Sequence, residues 1–201
     1  MSFDVSTPLF FFRHGETFYN AEGRIQGQLD TPLSPLGRTQ AAAVGGLLGA
    51  TLKADGLTSE APGWFASPLS RASETMRIAR SALGLPEQAF VQDKRLMELN
   101  FGLWQDMTWP EITARNPAAV AARKADFWNF RPPQGESYAD LADRVRSFLD
   151  TLTGPAVVVA HGGVARALMV LFGSVQPQDT RGMPIHQGRL LVFAGGRGRW
   201  I

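Results

Sequence analysis

Leu9-Phe10-Phe11-Phe12-Arg13-His14-Gly15 is a continuous apolar run that stops abruptly at charged and small residues. A run of that kind reads as a buried strand delivering polar groups at its carboxyl end. Ala156 to Ala160, with Val157-Val158-Val159 at its centre, repeats the pattern and stops at His161-Gly162-Gly163. Two histidines therefore end two buried strands. Trp64-Phe65-Ala66 is a weaker strand running into Ser67-Pro68-Leu69-Ser70-Arg71, and residues 189–194 make a last strand before Gly195-Gly196-Arg197-Gly198-Arg199. That tail has neither the Lys-Ser/Thr of a P-loop nor a following helix, and it reads as a flexible terminus.

Helices fill the intervals. Ser34-Pro35 has the form of an N-cap followed by proline in the first helical position, opening a helix to about Leu48, and Asn116-Pro117 opens another in the same way. Thr108-Trp109-Pro110-Glu111 has the spacing of a capping box. Ser137, next to Glu136, caps a helix to about Leu152, and Val164-Ala165-Arg166-Ala167-Leu168 continues directly from the second histidine strand. Strands alternating with helices predict an α/β fold, a three-layer α/β/α arrangement with a mostly parallel sheet and helices on both faces. The stretch from about Arg95 to Pro133, rich in Trp, Pro and Ala, breaks the alternation and reads as a helical insertion over the active site. No flexible linker flanks it, so one domain over residues 1–201 is expected.

The 201 residues are 44% hydrophobic and 19% charged, with 13 Phe and 5 Trp, which is the profile of a globule with a true core. The formal charge is +2, and the basic residues are scattered among 18 acidic ones, so a nucleic-acid partner is not indicated. The absence of Cys excludes a disulfide framework, a thiol nucleophile and Cys-based zinc sites. Neither a secretory leader nor an apolar run of membrane-spanning length (about 20 residues) is legible, and a cytoplasmic protein without a membrane partner is the expectation.

In an open parallel sheet ligands bind outside the carboxyl ends of the strands, where this reading places both His14 and His161. Arg13 sits beside His14, Arg71 falls in the first turn after the third strand, and Glu98 follows Arg95-Leu96-Met97. Two histidines and a glutamate would suit a metal, but a divalent cation does not want two arginines in its shell, and no His-x-x-x-His or carboxylate cluster is present. An anion fits better. Arginine binds phosphate oxygens bidentately and keeps its charge, and its nearness disfavours imidazolium, leaving a neighbouring histidine neutral and nucleophilic.

These residues, together with Glu16-Thr17 and Asn20, Gln26 to Ser34, Ser67 to Ala72, Glu98 to Trp104, Pro133 to Ser137 and Val159 to Gly163, resemble the histidine phosphatase superfamily, in its phosphoglycerate-mutase-like branch with the Arg-His-Gly motif. The resemblance implies that His14 attacks phosphorus and becomes phosphohistidine while Arg13, Arg71 and His161 hold the phosphoryl oxygens. It further implies that Glu98 is the acid and base, and that Asn20, Gln26 and the backbone N–H groups of Gly162 and Gly163 are additional substrate or phosphate contacts. No metal and no cofactor are implied. The expected activity is hydrolysis of a small phosphorylated metabolite. The alternatives are a cofactor-dependent phosphoglycerate mutase and a non-catalytic module that binds a phosphorylated ligand. Mutases of this family usually have Asn where Gly163 stands, and an Arg-His-Tyr-Gly element that is missing here. Gln105-Asp106 stands where the family often has Glu, so a further carboxylate contact is not carried over. Trp104, Trp109, Phe127 and Trp128 read as packing of the insertion, and His186 has no partner legible in the sequence.

Overall fold

Six strands, β1 (Leu9–Arg13), β2 (Gly63–Ala66), β3 (Val91–Gln92), β4 (Ala156–Ala160), β5 (Leu191–Ala194) and β6 (Arg197–Trp200), form one sheet in the computed structural model, which describes residues 4–201. The order across it is β3-β2-β4-β1-β5-β6. The first four strands run parallel, β5 runs against them beside β1, and β6 turns back antiparallel to β5. The apolar runs are continuous because both faces of the central strands are covered. Leu9, Phe11, Ala156, Val158 and Phe193 pack into one layer, whereas Phe10, Phe12, Val157, Val159 and Val192 pack into the other. Alternate side chains of each strand thus serve opposite layers.

Helices α2 (Pro35–Ala54) and α3 (Ser70–Ala82) supply one layer through Val44, Leu48, Leu52, Ala72, Met76 and Ala79. Helices α6 (Tyr138–Leu149) and α7 (Gly162–Leu171) supply the other through Leu141, Val145, Phe148, Val164 and Leu168. The caps form as their sequences imply: the Ser34 hydroxyl accepts the Gly37 N–H, Asn116 accepts that of Ala119, and Ser137 forms a capping box with Asp140. Helix α2 continues past Leu48 to Ala54, because Thr51 and Leu52 extend the buried stripe of Val44 and Leu48 by another turn. Helix α6 stops at Leu149, short of Leu152.

Between strand β3 and helix α6 lie two short helices, α4 (Trp109–Arg115), opened by the Thr108 capping box, and α5 (Pro117–Ala125). They enclose a small core of Trp104, Ile112 and Val120, with Trp104 stacked on Phe130 at 5.4 Å. A four-residue helix α1 (Phe18–Ala21) follows the first histidine. Among the described residues no helix is long and apolar enough to cross a membrane.

The carboxyl-terminal segment is not the flexible tail expected from its Gly and Arg content. Gly195 and Gly196, at φ 56° and 75°, make a two-residue turn that only residues tolerant of positive φ adopt readily. Strand β6 then folds back along β5 and seats Trp200 against the core, where its ring meets His186 edge-on at 5.2 Å.

One close approach locks the first helical layer to the first histidine. A Cβ on Gly15 would land on the Gly37 backbone, and a Cβ on Gly37 would land on that of Glu16. Gly37→Ala is therefore expected to destabilise the fold by about 1–3 kcal/mol, the usual cost of overpacking, and to lower Tm by several degrees. Gly46→Ala in the same helix, where an added Cβ meets nothing within 4 Å, is expected to stabilise by about 0.5–1 kcal/mol through helix propensity. Calorimetry of the two variants checks the pair, and equal shifts would contradict the close-packing argument.

Candidate active site

Strand β1 pairs with β4 so that Arg13 stands opposite Ala160, and the His14 N–H donates to the Ala160 carbonyl at 2.9 Å. This register brings the two strand ends level. His14 and His161 consequently stand ring to ring, with centroids 5.1 Å apart and planes tilted by 57°. Both are buried.

His14 Nδ1 lies 2.7 Å from the Gly15 carbonyl oxygen. A carbonyl only accepts, so Nδ1 carries the proton and Nε2 keeps its lone pair. Burial pushes the His14 pKa well below its ordinary value, and the adjoining guanidinium groups of Arg71 and Arg13 push in the same direction. His161 is shifted the same way by burial, by Arg71, by His14 and by Arg13. Its Nε2 meets the Ser67 hydroxyl at 2.8 Å.

Arg71 is fully buried at the start of α3, and its Nη1 and Nη2 each donate at 2.7 Å, to the carbonyls of Leu29 and Gly27. Burial lowers its pKa to about 10 against the favourable charges of Glu98 and Asp30. Arg13 donates from Nη1 to the Ile185 carbonyl at 3.1 Å. Four buried side-chain nitrogens among the described residues have no partner: Arg13 Nε, Arg71 Nε, His161 Nδ1 and, remote from this site, Arg80 Nη1. Unpaired buried donors are costly, and three of the four belong to this one cluster.

Glu98 reaches the cluster from the stretch between β3 and α4. Its Oε1 accepts the Leu99 N–H at 2.8 Å and the Gly163 N–H at 3.0 Å. The chain around it is held by Arg144 of α6, which donates to the carbonyls of Arg95 at 2.7 Å and Glu98 at 3.0 Å and forms an ion pair with Glu136 at 3.1 Å. Glu136 in turn accepts the Asn100 N–H at 2.9 Å. Ser137 makes the cap with Asp140, and the neighbouring Glu136, which takes no part in it, fixes the Glu98 segment instead.

Arg13, His14, Asn20, Gln26, Arg71 and Glu98 all line one cleft of about 430 Å³. His161, fully buried beside His14, is not itself part of the wall, and its Nδ1 has no partner among the described residues. Asn20 Oδ1 accepts from the Thr17 N–H and from Gln187 Nε2 at 3.0 Å, while its Nδ2 makes no hydrogen bond among the described residues. Gln26 Oε1 accepts the Thr31 hydroxyl. Gly162 and Gly163 do not line the cleft, and the Gly163 N–H, expected to face a phosphate, is taken by the Glu98 carboxylate. Residues without a role in the sequence reading also belong here. Ser67 orients His161, Thr75 links the Gly15 N–H at 3.1 Å to the Arg71 carbonyl at 2.7 Å, and Arg123, Tyr138 and Arg166 form part of the wall. Among the described residues no group of three or more His, Cys, Asp or Glu stands together as a metal site would need.

Paired strand-end histidines flanked by a fully buried and a half-buried guanidinium group and one carboxylate have the donor chemistry that suits a phosphoryl group. The family model of the histidine phosphatase superfamily (branch 1) matches residues 9–201, and the chain belongs to that superfamily. More particularly, it is 38% identical over 173 residues to the glucosyl-3-phosphoglycerate phosphatase of Mycobacterium tuberculosis, covering 80% of this chain and 72% of the relative. It is 30% identical over 184 residues to the 2,3-bisphosphoglycerate-dependent phosphoglycerate mutase 2 of Gloeobacter violaceus, covering 88% and 80%. Among solved structures, mycobacterial glucosyl-3-phosphoglycerate phosphatase in complex with VO3 superposes with a TM-score of 0.77 at 33% identity, covering 97% of this chain and 96% of that one.

The depressed histidines make stability depend on pH in a definite direction. Both rings are neutral in the fold and take protons more readily in the unfolded chain, whose ordinary value is 6.5. Their contribution is complete above that pH and is lost as pH falls below it toward the folded values. Unfolding free energy is expected to fall on acidification from pH 7 to pH 5, with a slope of up to about 1.4 kcal/mol per pH unit per histidine. Denaturant titrations of the wild type and of His14→Asn/His161→Asn test this, and an unchanged slope in the double variant would contradict it.

Proposed function

We propose that the protein is a phosphatase that hydrolyses a small phosphomonoester through a phosphohistidine on His14, without a metal. The observation that carries this reading is the hydrogen bond from His14 Nδ1–H to the Gly15 carbonyl, which leaves the Nε2 lone pair of a neutral imidazole at the cleft wall. Arg13 Nε, Arg71 Nε and His161 Nδ1, the latter protonated when the Ser67 hydroxyl donates to Nε2, supply the donors for the phosphoryl oxygens.

In the first step Nε2 bonds to phosphorus, the ester P–O bond breaks, and Glu98 in its acid form gives its proton to the departing alkoxide. In the second, water attacks phosphorus, Glu98 takes the water proton, the N–P bond breaks, and orthophosphate leaves. The protein contributes positioning, charge stabilisation and one proton transfer in each direction. The Leu99 and Gly163 N–H bonds support this placement of the carboxylate, because they hold Glu98 at the cleft wall beside the helix start that follows His161. Phosphorylated metabolites are held in the cytoplasm, and the reading places the protein there.

His14→Ala is expected to abolish both turnover and the acid-labile label left by a radiolabelled phosphomonoester. Glu98→Gln is expected to slow an alkyl phosphate by about 10²- to 10⁴-fold while slowing p-nitrophenyl phosphate far less, since that leaving group departs without a proton. The assays run with chelator present. Label retained in His14→Ala, or isomerisation of 3-phosphoglycerate without orthophosphate release, would overturn the reading.

A further inference from the structure

Six arginines line the cleft, and their hydrogen bonds sort them. Arg13 and Arg71 flank the histidines. Arg24 is paired with Glu22 at 3.1 Å and Glu111 at 3.4 Å. Arg166 is consumed by the fold, donating to the carbonyls of Thr180, Gly162 and Met183 at 3.1, 3.2 and 2.7 Å. Arg181 gives one Nη to the Lys124 carbonyl at 3.1 Å and has no further hydrogen bond or ion pair among the described residues. Arg123 of α5 differs from all of these: half-buried, it has neither a hydrogen bond nor an ion pair among the described residues.

Its guanidinium carbon stands over the rings of Trp109 and Phe127, 4.6 Å from each centroid. Aromatic rings take a guanidinium by its face and leave the N–H edges available, which is the edge that grips a carboxylate or phosphate bidentately. The groups around it do not compensate its charge, since Arg166 and Arg181 are like charges and the buried Tyr138 is held neutral. A half-buried cation with no counterion is partly stripped of water in the free protein, and an anionic ligand compensates its charge. The cleft, at about 430 Å³, extends well beyond what one phosphoryl group fills.

We propose that Arg123, assisted by Arg181 and the Tyr138 hydroxyl, forms a second anion subsite in the outer part of the cleft. The substrate is accordingly a phosphomonoester that carries a further fixed negative group, a carboxylate or a second phosphate, away from the phosphoryl to be cleaved. This rests on the phosphatase reading for the inner subsite and adds to it the chemistry of the substrate's far end.

The test compares esters that differ in that far end: glycerol 3-phosphate, 3-phosphoglycerate, which replaces a hydroxymethyl by a carboxylate, and propane-1,3-diyl bisphosphate. Wild type is expected to prefer at least one of the doubly anionic esters by about 10- to 100-fold in kcat/KM, mainly through KM, and which one wins distinguishes carboxylate from phosphate. The preference is expected to collapse in Arg123→Met, which keeps the apolar stem over the rings, and to be partly restored in Arg123→Lys. Arg181→Gln, on a surface loop, is expected to weaken it without disturbing the α5 packing. Equal rates for all three esters in wild type, or a preference that survives both Arg123→Met and Arg181→Gln, would overturn the subsite. If no ester is turned over at all, the phosphatase reading fails, and calorimetric titration with 3-phosphoglycerate and glycerol 3-phosphate decides the subsite alone. Tighter binding of 3-phosphoglycerate that depends on Arg123 upholds it, and equal binding refutes it.

Discussion

The parallel pairing of β1 with β4 is the constraint from which the rest of the site follows. Arg13 opposite Ala160 and the His14 N–H on the Ala160 carbonyl set the two strand ends level, so that imidazoles distant in sequence meet at 5.1 Å. A slip of one residue would turn the alternating Phe side chains of β1 to the wrong layers, sending Phe10 and Phe12 toward α6 and α7. Register, core and histidine pair are therefore one decision, enforced by the hydrophobic cost of violating it. The close contact of Gly15 with Gly37 and the Gly15 N–H bond to Thr75 then fix the loop beyond β1 against α2 and α3.

That rigidity lets the protein hold charges where water would otherwise solvate them. Arg71 is fully buried, with two carbonyls as partners and no ion pair, and its pKa falls to about 10. Burial first, and the Arg71 charge second, hold both histidines neutral, so neither ring repels or neutralises an incoming anion. The donors thus stand preorganised toward negative charge, at a cost borne by the folding energy of the surrounding layers. Glu98, the one carboxylate on the cleft wall among the described residues, is fixed by two backbone N–H bonds and by the Arg144 and Glu136 buttress behind it, close enough for its charge to favour both guanidinium groups.

The parts of this arrangement that the sequence made legible are those with a local physical signature. Buried strands show as unbroken apolar runs, helix starts as Ser34-Pro35, Asn116-Pro117 and Thr108 with Glu111, and the strand-end histidines as polar residues where such runs stop. Strand β3 was not legible because two exposed residues carry no periodicity. The β5–β6 hairpin was misread although Gly195-Gly196 is a turn signal, since Arg197, Gly198 and Arg199 lack the apolar alternation of a strand, and only Trp200 packs inward. The roles of Arg144, Ser67 and Thr75 escaped because each acts on a partner far along the chain, even though Ser67 opens one of the stretches that carry the family resemblance.

The insertion shows the same division between rigid chemistry and adjustable recognition. Its small core of Trp104, Ile112 and Val120 is separate from the two layers on the sheet, so its surface can vary without disturbing the register of β1 and β4. Glu98 is exempt from that freedom. Although it enters from the same stretch, Arg144 on α6 and Gly163 on α7 tie it to the main layers. Arg123 stands where the two meet, over Trp109 of the insertion and over Phe127, which stacks on Tyr138 of α6. A residue anchored there can select a substrate without setting the rate of phosphoryl transfer, and the converse holds for Glu98. The fold thereby separates what the cleft accepts from what it does to the phosphoryl group.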